Sequence, residues 1–437
     1  MAGIERPVKL GWILGAMATG LVLGLLTGPD GHLLGLPLVA VGSFLGTAFL
    51  DLLKMVVVPL VMSSVVTGVS GVGNARDLGR LGLLSLLYYV VTTLIAVVIA
   101  LLLVNTIAPG IIDGQPAQAA LALHGDAGAV GAKVQAQASH SFSDIVLDMI
   151  PVNVVAAAAD GKLIGLLFFS VLFGWFVTQL EEAPRQVMTH FWQGLFGVMM
   201  RITGFVMRLA PLGVLGLTLK VTAETGFDAA RPLLLFGLCV LLGLAVYAGL
   251  ALPLLLVVVA RVKRPWRLYA AVAPAVATAF STASSAASLP VTLECLQQRA
   301  GVSPRIAGVV LPLGISINHA GSALYECAAA LFIAQAYGLH LSIATQVTVV
   351  LLALVTSMGI ASIPAASLVG ITVILAAVGL PTEAVGVLLV LDRVLDMART
   401  AINVLADAVC TVVIARLSGE KGVLEPIPLQ PESSSPP

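Results

Sequence analysis

The chain has 437 residues, 59% hydrophobic and 10% charged, with a formal net charge of zero and a mean hydropathy of +1.06. Soluble domains carry about 25% charged residues, so the composition excludes an ordinary soluble globule and points to a polytopic membrane protein. The neutral charge balance gives no footing for a nucleic-acid partner.

Apolar runs of about 20 residues or more predict membrane helices near 10–28, 38–68, 80–106, 144–180, 188–220, 228–260, 302–337 and 382–416, an all-α fold of eight spans. No signal peptide stands out, because the run from about Leu10 continues as a membrane helix. Arg6, Lys9, Arg76, Arg80, Arg185, the cluster Arg261 to Arg267, Arg299, Arg305, Arg416 and Lys421 all fall on one side if both termini are cytoplasmic. The Ala/Gly-rich insert at 108–141, whose only Lys or Arg is Lys133, then lies outside as an extracytoplasmic loop. Residues from Ser418 onward read as a disordered cytoplasmic tail. Cys239, Cys295, Cys327 and Cys410 sit singly in apolar segments and read as small core residues, not as disulfides or metal ligands.

Two segments depart from simple spans. Residues 268–297 are broken by Ser281-Thr282-Ala283-Ser284-Ser285-Ala286-Ala287-Ser288-Leu289-Pro290. Residues 344–378 are broken by Thr356-Ser357-Met358-Gly359-Ile360-Ala361-Ser362-Ile363-Pro364-Ala365-Ala366-Ser367. Each half is too short to cross about 30 Å alone, so each segment is expected to be a re-entrant hairpin with a small, polar tip. Two ordinary pairs of kinked buried helices are the plain alternative. Each hairpin precedes a polar-interrupted helix, and the positive-inside count sends the two hairpins in from opposite sides. That is the layout of inverted repeats around a midplane site.

The last span carries Asp392, Asp396, Arg399, Asn403 and Asp407 at spacings of 4, 3, 4 and 4. They fall within roughly 80° of arc on one helix face, over about 22 Å of rise. Intramembrane ionisable groups are functional candidates by default. Asp396 can meet an ammonium and Arg399 a carboxylate, while Asn403 and Asp407 can offer oxygens to a cation. The bland reading is a buried ion-pair ladder that holds helices together. The preceding span carries Gly314, Ser316, Asn318, His319, Gly321, Ser322 and Glu326, which suggest an unwound stretch with carbonyls free for cations. Glu326 is a candidate proton carrier, or simply a hydrogen-bonded buried acid. His319 reads as a packing residue, since no GxSxG or HExxH pattern accompanies it. Tyr88, Tyr89, Thr92 and Thr93 in the third span would alone indicate only helix–helix hydrogen bonds.

With these residues in view, the chain resembles the dicarboxylate/amino acid:cation symporters, the glutamate/aspartate transporter family. The resemblance runs from Leu52-Leu53-Lys54-Met55-Val56-Val57-Val58-Pro59 to the last span. Its most specific parts are Ser284-Ser285 with Leu289-Pro290-Val291-Thr292, Ala323-Leu324-Tyr325-Glu326, and Asp396-Met397-Ala398-Arg399-Thr400-Ala401-Ile402-Asn403-Val404. It implies a homotrimer in the plasma (bacterial inner) membrane, working by an elevator mechanism. Scaffold helices at about 10–68 and 144–220 would hold the trimer, and a transport domain at about 80–106 and 228–416 would move. It implies that Asp396 holds the substrate amino group and Arg399 its side-chain carboxylate, with Thr400, Asn403, Ser322, Ser285 and Ile363 completing the site. Gly314, Asn318, Asn403 and Asp407 would form one sodium site. Ser316, Ser357 and Met358 resemble a second, and Tyr89, Thr92, Thr93 and Asn318 part of a third.

The sequence also departs from the family. The usual Asn-Met-Asp-Gly-Thr is here Asn318-His319-Ala320-Gly321-Ser322, which removes a carboxylate and weakens or abolishes the third sodium site. A second arginine of relatives is missing at Ala283 and Met397. The second-hairpin tip carries less glycine, so its gating is expected to be stiffer. The resulting expectation is a symporter, not an enzyme, that takes up aspartate or glutamate with sodium and/or protons as coupling ions and no cofactor. A C4-dicarboxylate or broader amino acid:cation symporter is the runner-up. Asp396 favours amino acids, since a plain dicarboxylate has no ammonium to pair with it. An intramembrane enzyme lacks a nucleophile–base pair or metal ligands at recognisable spacing, and a channel sits poorly with two occluding hairpins.

Overall fold

The computed structural model describes residues 10–29, 31–33, 36–72, 79–123, 126–138, 150–159, 163–225, 228–359, 366–420 and 422–424. Helices dominate. In chain order they are α1 (Leu10–Thr27), α2 (Leu38–Val72), α3 (Gly79–Ile107), α4 (Ala127–Ala138), α5 (Val154–Ala159), α6 (Leu163–Val177), α7 (Glu182–Arg208), α8 (Ala210–Thr225) and α9 (Ala230–Val246). A π-turn (Tyr247–Ala251) leads to α10 (Leu252–Val258), followed by α11 (Trp266–Thr282), α12 (Ser285–Glu294), α13 (Pro304–Ile317), α14 (Ala320–Ala336), α15 (Ile343–Gly359), α16 (Ala366–Val378) and α17 (Val385–Leu417). Two tiny antiparallel ribbons complete the inventory: β1 (His32–Leu33) with β2 (Leu36–Pro37), and β3 (Ile111–Ile112) with β4 (Gln115–Pro116).

Among the described residues four helical stretches are long and apolar enough to cross a membrane: Leu81–Ile107, Ala230–Val258, Pro304–Ala336 and Thr382–Leu417. A fifth is the pair α7 and α8, bent by 49°. Shorter apolar stretches lie in α1, α2 and α6. The expected span at 188–220 corresponds to the bent pair α7 and α8. Pro211 has no amide to donate, and the helix breaks at Leu209, two residues before it. The expected span at 144–180 is described only as the short α5 and the 15-residue α6.

The helices pack in two groups. In the first, α1 and α2 lie against α8, and α2 also meets α6 and α7. Small residues set this approach: a Cβ on Gly20 would stand 2.7 Å from the Leu215 carbonyl oxygen, and one on Gly24 would stand 2.8 Å from that of Leu219. Glycines four apart let two helix backbones touch where lipid supplies no hydrophobic drive. In the second group α14 is ringed by α3, α15, α16 and α17, and α17 also packs on α9, α11 and α13. Every side chain of α14 except Ser322 and Gln335 is buried, so this helix is the core of its group.

The two interrupted segments each form a packed helix pair, α11 with α12 and α15 with α16. The first turns at Ala283, which is left-handed at φ +50°, and Ser284 caps α12 by accepting the Ala287 amide at 3.3 Å. The second tip, residues 360–365, lies outside the described residues. The expected interruption after Gly314 is also seen: α13 ends at Ile317, Asn318 and His319 leave the helix, and α14 starts at Ala320.

Two segments are more structured than their composition suggests. The insert after α3 holds the β3–β4 ribbon and α4. Arg231 at the start of α9 grips Asp113 in the ribbon turn, at 2.7 and 3.0 Å. The tail was expected to be disordered from Ser418, yet residues 418–420 and 422–424 lie against the base of the first hairpin. There the Ser303 amide donates to Glu420 Oε2 at 3.1 Å, the Leu424 amide to the Ala300 carbonyl at 2.9 Å, and Arg267 Nη1 to the Leu424 carbonyl at 3.3 Å. Val423 is wholly buried.

Candidate functional site

The site forms where α17 passes the break between α13 and α14. Arg399 is 0% exposed, and its Nη2 donates to Asp392 Oδ1 and Asp396 Oδ1, each at 3.1 Å. Arg393 stands 3.9 Å from the other Asp396 oxygen. The guanidinium carbon lies 4.0 Å from the Tyr325 ring centroid, a cation–π contact that holds the group from α14. Its Nε and Nη1 have no hydrogen-bond partner among the described residues. A buried guanidinium with unused donors is a strong demand for an acceptor, and a carboxylate matches that geometry.

One turn further along α17 the character changes. Asn403 Oδ1 accepts the Gly321 amide at 2.8 Å, joining α17 to the first turn of α14. Asp407 Oδ1 accepts from Asn318 Nδ2 at 2.8 Å. Gly314 lies directly beneath: a Cβ there would be 2.4 Å from the Tyr89 hydroxyl and 2.5 Å from Asp407 Oδ1. Only a glycine lets the α13 backbone approach so closely. Asp407 Oδ2, Asn318 Oδ1 and Thr93 Oγ1 are buried without partners among the described residues. One carboxylate with amide and hydroxyl oxygens suits a hard monovalent cation. No group of three or more His, Cys, Asp or Glu residues fit to hold a metal occurs among the described residues.

The other expected residues make mostly local contacts. The Thr400 hydroxyl donates to the Asp396 carbonyl, which pins the side chain along α17. Ser285 is buried at the start of α12, and Ser322 is half-buried in the first turn of α14. The Tyr89 hydroxyl donates to the Val310 carbonyl at 3.2 Å. The Thr92 hydroxyl is turned back onto its own helix, toward the Tyr88 and Tyr89 carbonyls. The Ser357 hydroxyl bonds the Leu354 carbonyl, and Met358 is half-buried beside it. Ile363 and the side chain of Ser316 lie outside the described residues.

Three contacts escape sequence reasoning. Glu326, fully buried, accepts the Thr356 hydroxyl of α15 at 2.6 Å, and its carboxyl carbon would be 2.5 Å from a Cβ on Gly370 of α16. The acid thus sits between the two helices of the second hairpin. His319 hydrogen-bonds the Ser357 backbone, tying the helix break to the end of α15. Tyr325 supports Arg399. The adjacency of Tyr325 and Glu326 was the one available signal; their partners are set by tertiary packing.

The architecture defines a helical membrane protein with an internal, ion-lined centre, the class to which carriers belong. The chain belongs to the sodium:dicarboxylate symporter family, whose profile matches residues 10–417. It is 36% identical to the proton/glutamate-aspartate symporter of Escherichia coli K12, over 93% of this chain and 92% of that protein. It is 32% identical to the proton/sodium-glutamate symport protein of Bacillus caldotenax, over 95% and 96%. Mouse excitatory amino acid transporter 3 is 32% identical over 98% of this chain and 91% of its own length.

Proposed function

We propose that this chain is a secondary active symporter that takes up aspartate or glutamate across the plasma (bacterial inner) membrane, with sodium and/or protons as the coupling ions. The observation that carries the reading is the buried Arg399 guanidinium, held by Asp392, Asp396 and Tyr325 with Nε and Nη1 still unused. In this reading those donors take the substrate side-chain carboxylate, and Asp396 turns from Arg399 to the substrate ammonium. Ser285, Ser322, Thr400, Asn403 and Ile363 complete the pocket. The N-terminal turns of α12 and α14 would favour the second carboxylate.

Sodium, as cargo, would take Asp407, Asn403, Asn318 and the Gly314 carbonyl; the unpartnered Asp407 Oδ2 and Asn318 Oδ1 support the fit. Ser316, Ser357 and Met358 would form a second cation site. Tyr89, Thr92 and Thr93 would form a third, weakened by Ala320. Glu326 would carry a proton, and its seat between α15 and α16 would couple its charge to the second hairpin. The two packing groups support a division into a scaffold and a moving transport domain. In this reading the protein is a homotrimer, each protomer with eight spans, two re-entrant hairpins and both termini cytoplasmic. The names of the relatives support acidic amino acids over plain dicarboxylates.

The test is uptake of labelled aspartate, glutamate and succinate into proteoliposomes with sodium and proton gradients imposed separately. The reading expects concentrative aspartate or glutamate uptake with either gradient. Uptake of succinate alone, or no dependence on either gradient, overturns it.

A further inference from the structure

A groove of about 410 Å³ lies between α11 and α17, lined by Tyr269, Ala273, Val276 and Phe280 on one wall and by Ala401 and Leu405 on the other. It is open to the surface, and Ala273 and Phe280 are exposed within it. Tyr269, Ala273, Val276 and Phe280 recur at helical spacing, so they form one stripe about 16 Å long. That is about half the 30 Å hydrocarbon core, the depth of one leaflet.

The start of the stripe has a different chemistry. Arg261, Lys263 and Arg264 are all exposed just before α11. None forms an ion pair among the described residues. Between these cations and the groove, Trp266 and Tyr269 stack edge to face at 5.1 Å, with Trp266 59% exposed. Such aromatic pairs sit at the headgroup level of a bilayer. Three unpaired cations, an aromatic collar and an apolar channel one leaflet long therefore follow one another from the α10–α11 connection along α11.

We propose that this face binds one anionic phospholipid per protomer, its headgroup on Arg261, Lys263 and Arg264 and one acyl chain in the α11–α17 groove. A soluble anion would use the cations without the groove, and a neutral lipid the groove without the cations; the joint arrangement selects an anionic lipid. The acyl chain would end beside Phe280, three residues before the tip of the first hairpin, and would rest on Ala401 and Leu405, which flank Asn403. It would brace that hairpin against the site helix. The inference rests on membrane placement and not on the substrate carried.

Native mass spectrometry of the full chain from nanodiscs of phosphatidylglycerol and phosphatidylcholine tests it. One phosphatidylglycerol per protomer should be retained in preference to phosphatidylcholine. The triple change Arg261→Gln, Lys263→Gln, Arg264→Gln should weaken retention about 100-fold at low ionic strength. Arg261→Lys with Arg264→Lys should keep it. Ala273→Phe, which fills an exposed part of the groove, should lower retention with every cation in place. Equal retention of the two lipids, retention unchanged in the triple variant or in Ala273→Phe, or displacement of the bound species by inorganic phosphate would each overturn the proposal.

Discussion

Thr356 donates its hydroxyl to the carboxylate of Glu326 at 2.6 Å, across 30 residues of sequence and between α15 and α14. The other side of the acid rests on Gly370, where a Cβ would stand 2.5 Å from the carboxyl carbon. Gly370→Ala is therefore expected to destabilise the protein by about 1–3 kcal/mol, as overpacking does, and to depress uptake. Glu326→Ala in the same chain should relieve the clash. A thermal-shift double-mutant cycle reads the coupling; additive effects would show that the two residues do not press on each other.

Arg399→Cys takes from buried Asp392 and Asp396 the guanidinium they share, leaving Asp396 only Arg393 at 3.9 Å. Breaking a buried pair from one side costs about 3–5 kcal/mol. Adding Asp392→Asn should recover much of that stability. In liposomes Arg399→Cys should shift preference from aspartate toward neutral amino acids, and unchanged aspartate preference would remove the guanidinium from the substrate site. Asp396→Asn should raise the aspartate KM strongly, since the ammonium loses its counter-charge.

Gly314→Ala places a methyl 2.4 Å from the Tyr89 hydroxyl and 2.5 Å from Asp407 Oδ1. The backbone must move away, so sodium binding, read as a sodium-dependent rise in melting temperature, should be lost. A wild-type sodium response in this variant would place the ion elsewhere.

The Arg231 guanidinium beside Asp113 holds that carboxyl below the usual carboxylate range. The pair therefore contributes stability that is present above the ordinary aspartate pKa of about 3.9 and is lost as pH falls through the lowered folded value. Both groups are exposed, so salt should weaken the effect. Protease nicking of the β3–β4 ribbon should increase in acid and in high salt. Arg231→Gln should be nicked readily even at neutral pH.

The breaks at Ala283–Ser284 and Asn318–His319 were legible because small and polar residues interrupt apolar sequence there. The stripe on α17 was legible because helical spacing is fixed. Asp392, without a firm role in the pattern, proves to share Arg399 with Asp396. The bend at Leu209 had its cause in plain sight in Pro211, but the apolar run masked it. The Asp113-Gly114 turn was likewise a recognisable hairpin signal inside a segment read as loop, both residues having positive φ. Thr356, Gly370 and Tyr325 could not have been placed beside their partners, since no local pattern brings α14, α15, α16 and α17 into register.

The chain beyond α17 has a mechanical consequence. Arg267 at the start of the first hairpin and Ala300 and Ser303 just past its end are all fastened to Glu420 or Leu424. The hairpin has no free foot. If it is to yield, it must do so near Ala283, while its base travels with α17 as one piece. A load applied at the C-terminus is felt first at the foot of that hairpin, more than a hundred residues earlier in the sequence and only a hydrogen bond away in space.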